Sequence, residues 1–200
     1  SLKTGILILN RAIKKEVNES GEIKLLQLFS SGLGLLHDYD HRQLDRKGLS
    51  LRPARIPTYE EYMALINDMK SDIDSAVFGQ PKDDSFKSSI HQIIQNFDEK
   101  ELYPTLEEKA AMLLYLITKN HSFVDGNKRI AAACFLLFLD KNKMLMNSQE
   151  LPVISNEAVA ALTLFVAQSK PEEMETVKRL IISIINRHSE KIETVQSKSP

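Results

Sequence analysis

The sequence predicts an all-α fold: a helical bundle around a central buried helix, with a small β-hairpin flap at its edge. Three observations carry this. Apolar residues recur at three- and four-residue spacing through most of the chain after residue 58. Thr58 with Glu61, and Thr105 with Glu108, have the spacing of capping boxes. Strand-like alternation is confined to Ile90, Gln92 and Ile94, just ahead of Asn96-Phe97-Asp98.

Taken in order, Ile23 to Leu36 reads as helical, interrupted by Gly32 and Gly34. Leu44 to Pro57 is a loop with Arg46, Lys47, Arg52 and Arg55 and no periodicity. Thr58 opens a helix to about residue 77, with Tyr62, Leu65, Ile66, Met69 and Ile73 on one face. Thr105 opens another to about Asn120, carrying Ala110, Leu113, Leu114 and Ile117. The segment from about Asn127 to Lys141 is so apolar that it is expected to be buried nearly all round, as the central helix. Ser155 caps a helix to about Gln168, and Pro171 with Glu172 and Glu173 suits the first turn of one ending near Arg187. The expected organisation is an N-terminal helical extension over 1–57, a helical catalytic-type domain over 58–187, and a flexible polar tail over 188–200.

Composition removes several function classes. Lys plus Arg number 26 and Asp plus Glu 27, a net charge of -1, so there is no global basic field to hold nucleic acid directly. The longest apolar run, Ile130 to Leu139, is too short to span a bilayer, and Ile6 to Leu9 lacks the length of a secretory signal, so no membrane partner is expected. The single cysteine, Cys134, excludes an intramolecular disulfide and a cysteine-built zinc site. A cytoplasmic setting is expected from this. The chain starts on Ser1 rather than Met, which fits removal of upstream sequence.

The chemistry concentrates in His121-Ser122-Phe123-Val124-Asp125-Gly126-Asn127-Lys128-Arg129, a loop between two helices. The amides around Gly126, Asn127 and Lys128 point outward from a helix N-terminus, where unpaired donors and the macrodipole favour an anion. Gly126 admits close approach to the backbone. Lys128 and Arg129 are electrostatically misplaced at that end unless an anion such as phosphate sits there. Asp125 supplies a hard oxygen of the kind Mg2+ accepts alongside phosphate oxygens. His121 is a candidate general base for a hydroxyl. Taken one by one, these residues also suit an ordinary turn and helix start. Their conjunction points to a Mg-nucleotide site beside a base.

The whole string resembles the signature of the Fic/Doc (Fido) family, His-x-Phe-x-Asp/Glu-Gly-Asn-Gly/Lys-Arg. Leu102-Tyr103-Pro104, Glu107 to Ala111 and Ile130 to Ala133 extend the likeness on either side. The resemblance covers about residues 58–187 and is closest to bacterial RhuM-like and death-on-curing Fic domains. It implies ATP and Mg2+ as cofactors. His121 would deprotonate a Ser, Thr or Tyr hydroxyl of a target protein, and Asp125 would bind Mg2+. Gly126 and Asn127 would form an anion hole, with Lys128 and Arg129 beside it on the phosphates. It further implies a target-aligning flap, which falls on Ile90, Gln92, Ile94 and Phe97. The leading expectation is AMP transfer to the hydroxyl.

Three departures bear on that expectation. Lys128 stands where AMP-transferring relatives carry Gly, and resembles the Doc-type variant that transfers the terminal phosphoryl group as the toxin of a toxin-antitoxin pair. Ala132 stands where a second phosphate-binding Arg is usual, while Gly126 follows the AMP-transferring pattern where Doc has Ala. No Glu is followed by Gly or Asn, so the intramolecular inhibitory helix of many relatives is not expected, and control would fall to an antitoxin, to oligomerisation or to deleted upstream sequence. The missing second Arg also leaves open a catalytically silent helical interaction module.

Overall fold

The computed structural model describes residues 32–147 and 150–196, with side chains described as far as Arg187. Most of the helix expected over Ile23 to Leu36 lies outside them. The chain forms two compact units, Ser1–Asp45 and Arg46–Pro200. In the first, residues 32–40 are helical, and beyond them the His41 ring stacks on His37 with centroids 4.0 Å apart.

The second unit begins well before the expected boundary at 58, because the loop over 46–57 is anchored to the bundle. Glu107 accepts from the Ser50 amide at 3.1 Å and the Ser50 hydroxyl at 2.7 Å. Asn142 Oδ1 accepts from the Arg55 amide at 2.8 Å while its Nδ2 donates to the Arg55 carbonyl at 2.9 Å.

Helix α1, Tyr59–Ser71, starts on the expected capping box: the Thr58 hydroxyl accepts from the Glu61 amide at 3.2 Å, and Glu61 accepts from the Thr58 amide at 2.9 Å. It stops short of residue 77. Asp72 and Asp74 would set carboxylates against the negative end of the macrodipole, and Gly79 then turns the chain at φ +68.

The next stretch corrects the expectation. Ser85–Gln92 is a helix, α2, whose Phe86 and Ile90 are buried together with Ile93 just past its end. Phe86, Ile90 and Ile93 stand at i, i+4 and i+7, the stripe of a helix face. The loose alternation at Ile90, Gln92 and Ile94 belongs to that helix and the turn after it. The hairpin lies further on, β1 (Asn96–Phe97) pairing with β2 (Lys100–Glu101), Asn96 opposite Glu101 and Phe97 opposite Lys100. Of the four residues assigned to the flap, only Phe97 is in a strand, and it is exposed. Asp98 and Glu99, the connecting pair, both have positive φ, as tight two-residue hairpins require.

The central helix is α3, Leu106–Asn120, and not the more apolar segment after it. Every residue from Leu106 to Thr118 is buried, with α2, α4 (Asn127–Lys141), α5 (Asn156–Gln168) and α6 (Met174–Gln196) packed around it. Hydropathy hides this because the polar first turn of α3 is covered with its partners in place. Glu107 holds Ser50, Glu108 closes the box with Thr105, and Lys109 reaches Glu101 at 2.8 Å and the Tyr103 carbonyl. Helix α4 buries Ile130, Ala131, Cys134, Phe135, Phe138 and Leu139 but leaves Lys128, Arg129 and Asp140 exposed.

Ser155 caps α5 as expected, accepting from the Ala158 amide at 3.2 Å. A 3-10 turn, Pro171–Glu173, leads into α6. Helix α6 runs to Gln196, past the expected end at Arg187. The sequence turns polar there, but no Gly or Pro ends the helix. Among the described residues no helix is long and apolar enough to cross a membrane.

Candidate active site

The signature loop joins the C-terminus of α3 to the N-terminus of α4, and the two helix ends set its geometry. His121 is the C-cap of α3 in the left-handed conformation, φ 48 and ψ 45, which turns the chain out of the helix and leaves the residue exposed. Phe123 is fully buried and packs on Phe86 with ring centroids 4.9 Å apart, anchoring the loop. Gly126 is the N-cap of α4 at φ +89, with no side-chain cap bond. The first turn of α4 thus opens on uncapped amides with Lys128 and Arg129 beside them, the arrangement an anion favours.

A cleft of ≈ 350 Å³ is lined by His121, Val124, Asp125, Gly126, Asn127, Lys128 and Arg129. Every signature residue expected at the site except the buried Phe123 therefore meets around one space. The Asn127 side chain also has a structural role. Its Oδ1 accepts from the Phe123 amide at 2.9 Å and its Nδ2 donates to the Phe123 carbonyl at 2.7 Å, so the side chain holds the loop and leaves its main-chain N–H to the start of α4.

Two residues that sequence reasoning missed support the loop from below. The Ser75 hydroxyl donates to Asp125 Oδ2 at 3.0 Å, the same oxygen that Arg129 Nη2 approaches at 3.7 Å. The ring of Phe78 lies under Gly126, where a β-carbon would come within 2.2 Å of it, and carries the Arg129 guanidinium 4.9 Å from its centroid. Around these contacts the chain from Phe78 to Lys82 pairs with the loop. The Gly79 amide donates to the Asp125 carbonyl at 3.2 Å, the Val124 amide to the Gln80 carbonyl at 2.9 Å and the Lys82 amide to the Ser122 carbonyl at 2.9 Å. Nothing periodic in residues 74–82 signals this role.

The donor set fits Mg2+ held jointly with a polyphosphate. No group of three or more His, Cys, Asp or Glu gathers to hold a metal among the described residues. Asp125 offers one partly exposed carboxylate whose second oxygen is not committed to Ser75 or Arg129. One carboxylate completed by phosphate oxygens and water is how Mg2+ is commonly held. The residues assigned to the flap do not meet in this cleft: Ile90 and Ile94 line a separate groove with Tyr59 and Lys87.

The fold is thus a helical bundle in which a left-handed His closes one helix and a glycine without a side-chain cap opens the next, with the signature loop between them over the cleft. Residues 22–139 match the model of the Fic/DOC family, more than half of the chain, and the chain belongs to that family. The match begins before residue 58, where the resemblance was expected to start, and ends within α4. Over 42 residues, 21% of this chain and 32% of the relative, the chain is 50% identical to Toxin Doc of Mycolicibacterium smegmatis. It thus spans about a third of that relative's length. No solved structure matches.

Proposed function

We propose that the chain is a Mg-ATP-dependent transferase that modifies a hydroxyl of a target protein. The observation that carries it is the convergence of His121, Asp125 and the uncapped start of α4 on one cleft. His121 takes the proton of the attacking hydroxyl. The amides of Asn127 and Lys128, with the Lys128 and Arg129 side chains, stabilise the charge of the transferring phosphate. Asp125 holds Mg2+, which when bound neutralises phosphate charge.

The group transferred is taken to be the terminal phosphoryl. The hydroxyl oxygen attacks the terminal phosphorus, the bond to the bridging oxygen breaks, and ADP leaves with the electron pair. In the sequence, Gly126 favoured AMP transfer. Its missing β-carbon is accounted for by the Phe78 ring and by φ +89, whichever group is transferred. Lys128 and Ala132 then remain, and both favour phosphoryl transfer, as does the 42-residue likeness to Toxin Doc. That relative's name also supports a toxin, which a separate antitoxin would hold in check. AMP transfer is the second reading, favoured by Gly126, which follows the AMP-transferring pattern.

The test is incubation of a bacterial lysate with ATP labelled at the α- or the γ-phosphate, using the wild-type chain and His121→Asn. Asn tolerates the left-handed backbone at that position. Label on protein from γ alone supports phosphoryl transfer, and label from α supports AMP transfer. In either case His121→Asn should lower labelling at least about 100-fold. Undiminished labelling by that variant would remove His121 from the chemistry, and the absence of both labels favours a silent interaction module.

A further inference from the structure

Between Arg46 and Pro57 the loop ahead of α1 carries four cations, Arg46, Lys47, Arg52 and Arg55, and no acidic residue. None of them lines the cleft. All four are exposed, and so are Leu49 and Leu51, 46% and 76% accessible, which stand between the two pairs of cations. Gly48 and Ser50, alternating with the leucines, are half-buried against the bundle. The backbone that presents this row is pinned. The Lys47 carbonyl accepts from Asn186 Nδ2 at 3.1 Å, the Ser50 carbonyl from the Leu106 amide at 3.0 Å, and Asn142 holds the main chain of Arg55 by both its N–H and its C=O. Gly48 has no room for a β-carbon, which would stand 2.4 Å from Thr105 Oγ1. Of the four cations only Arg55 makes an ion pair among the described residues, with Glu61 Oε1 at 3.4 Å, and that oxygen also takes Lys141 at 3.3 Å.

We propose that this loop is a docking ridge for an acidic segment of a partner protein, one with carboxylates on either side of apolar residues. The inference does not depend on the reading of the cleft. Charge complementarity selects the occupant: cations crowded on one loop without acidic neighbours repel one another, and carboxylates relieve that repulsion while accepting paired bonds from Arg. Leu49 and Leu51 offer the middle of the segment an apolar contact for which a phosphate backbone has no use. Residues 46–57 hold no aromatic ring on which a base could stack, and the net charge of -1 gives a long polyanion no general attraction. A pinned backbone loses little freedom on binding. Asn142, which holds Arg55, is the C-cap of α4 as Gly126 is its N-cap. At the rise of an α-helix those caps are about 24 Å apart, so a partner on the ridge leaves the cleft open.

The experiment titrates the full chain into fluorescein-labelled peptides and reads anisotropy, using the acidic peptide EELDLEE and its neutral isostere QQLNLQQ. The wild type should bind the acidic peptide at least about tenfold more tightly. Arg46→Glu with Lys47→Glu should remove about that factor, and Arg46→Gln with Lys47→Gln a smaller one in the same direction. Leu49→Ser with Leu51→Ser should weaken the acidic peptide about fivefold. Lys82→Glu, which reverses an exposed cation outside the loop, should leave binding within about twofold of wild type. Thermal midpoints near wild type check that the variants are folded. Equal affinity for the two peptides, a loss as large in Lys82→Glu as in the loop variants, or binding untouched by the loop variants overturns the ridge. Tighter binding of an oligothymidylate or of phosphatidylserine vesicles than of the acidic peptide overturns it in favour of nucleic acid or membrane. Displacement of the peptide by Mg-ATP would seat it in the cleft and overturn the ridge as well.

Discussion

Phe78 and Gly126 are fitted to each other, the ring occupying the space where a β-carbon on the glycine would come within 2.2 Å of Cε2. The contact joins an irregular segment after α1 to the start of α4 and fixes where the first-turn amides of α4 lie. Gly126→Ala should therefore destabilise the domain, by about 1–3 kcal/mol from the positive φ alone, with the clash in addition. Measured in a Phe78→Leu background the same substitution should cost less, with a coupling of about 0.5–3 kcal/mol for residues in contact. Urea unfolding of the four proteins checks it, and a strictly additive cycle would mean that the ring does not dictate the glycine.

The clamp of Asn127 on Phe123 makes a second prediction. Because both halves of the amide are engaged by one residue's backbone, Asn127→Ala leaves a partly buried N–H and C=O unpaired, a loss of about 1–3 kcal/mol. Asn127→Asp keeps the acceptor for the Phe123 amide but loses the donor and adds a negative charge at the proposed phosphate site. It should weaken binding of inorganic phosphate more than Asn127→Ala does, while costing less stability than Asn127→Ala. Parallel unfolding and phosphate titrations decide this; the reverse order would assign the side chain to the ligand rather than to the loop.

How far the sequence announced this molecule depends on how local each feature is. The two capping boxes and the Ser155 cap were readable because their partners lie three residues apart, and the signature loop because His121 to Arg129 are contiguous. The central helix was misplaced because hydropathy counts side chains without their partners. The partners of Glu107 and Lys109 are Ser50, far back in the chain, and Glu101, across the hairpin end. The flap was placed too early for a related reason: Ile90, Gln92 and Ile94 alternate, but Phe86, Ile90 and Ile93 bury together. Ser75 and Phe78 were silent because they come from an irregular segment about 50 residues before the loop they support.

Cys134 gives a test of core integrity. It is fully buried on α4, and burial pushes its thiol well above the ordinary range for cysteine, so the reactive thiolate is suppressed at neutral pH. A thiol reagent should leave the native protein unlabelled at pH 8 and label it only in denaturant, at a rate that follows unfolding. Cys134→Ala should be mild, whereas Cys134→Ser should cost about 1–3 kcal/mol by placing a hydroxyl in the core without a partner. Rapid native labelling would show that this face of α4 opens.

The last prediction concerns Lys109, whose side chain is 4% exposed and whose partner Glu101, on β2, is 50% exposed. The pair ties the hairpin to the first turn of the central helix, and the unequal exposure makes its two halves unequal. Glu101→Ala leaves an ammonium in the interior with the Tyr103 carbonyl as its remaining acceptor, and an uncompensated buried charge is costly. Lys109→Met removes that charge, keeps the volume of the stem, and leaves a glutamate that water can solvate. Glu101→Ala should therefore destabilise the domain more than Lys109→Met, by about 1–3 kcal/mol. Both variants release the hairpin from α3, so if the hairpin aligns the target, both should lower protein modification while leaving Mg-ATP affinity at the wild-type value. Urea unfolding and labelled-ATP transfer on the three proteins separate the two effects. Equal destabilisation would mean that water reaches Lys109 once Glu101 is gone, and unchanged transfer in both variants would show that the hairpin needs no anchor on the central helix to present the target.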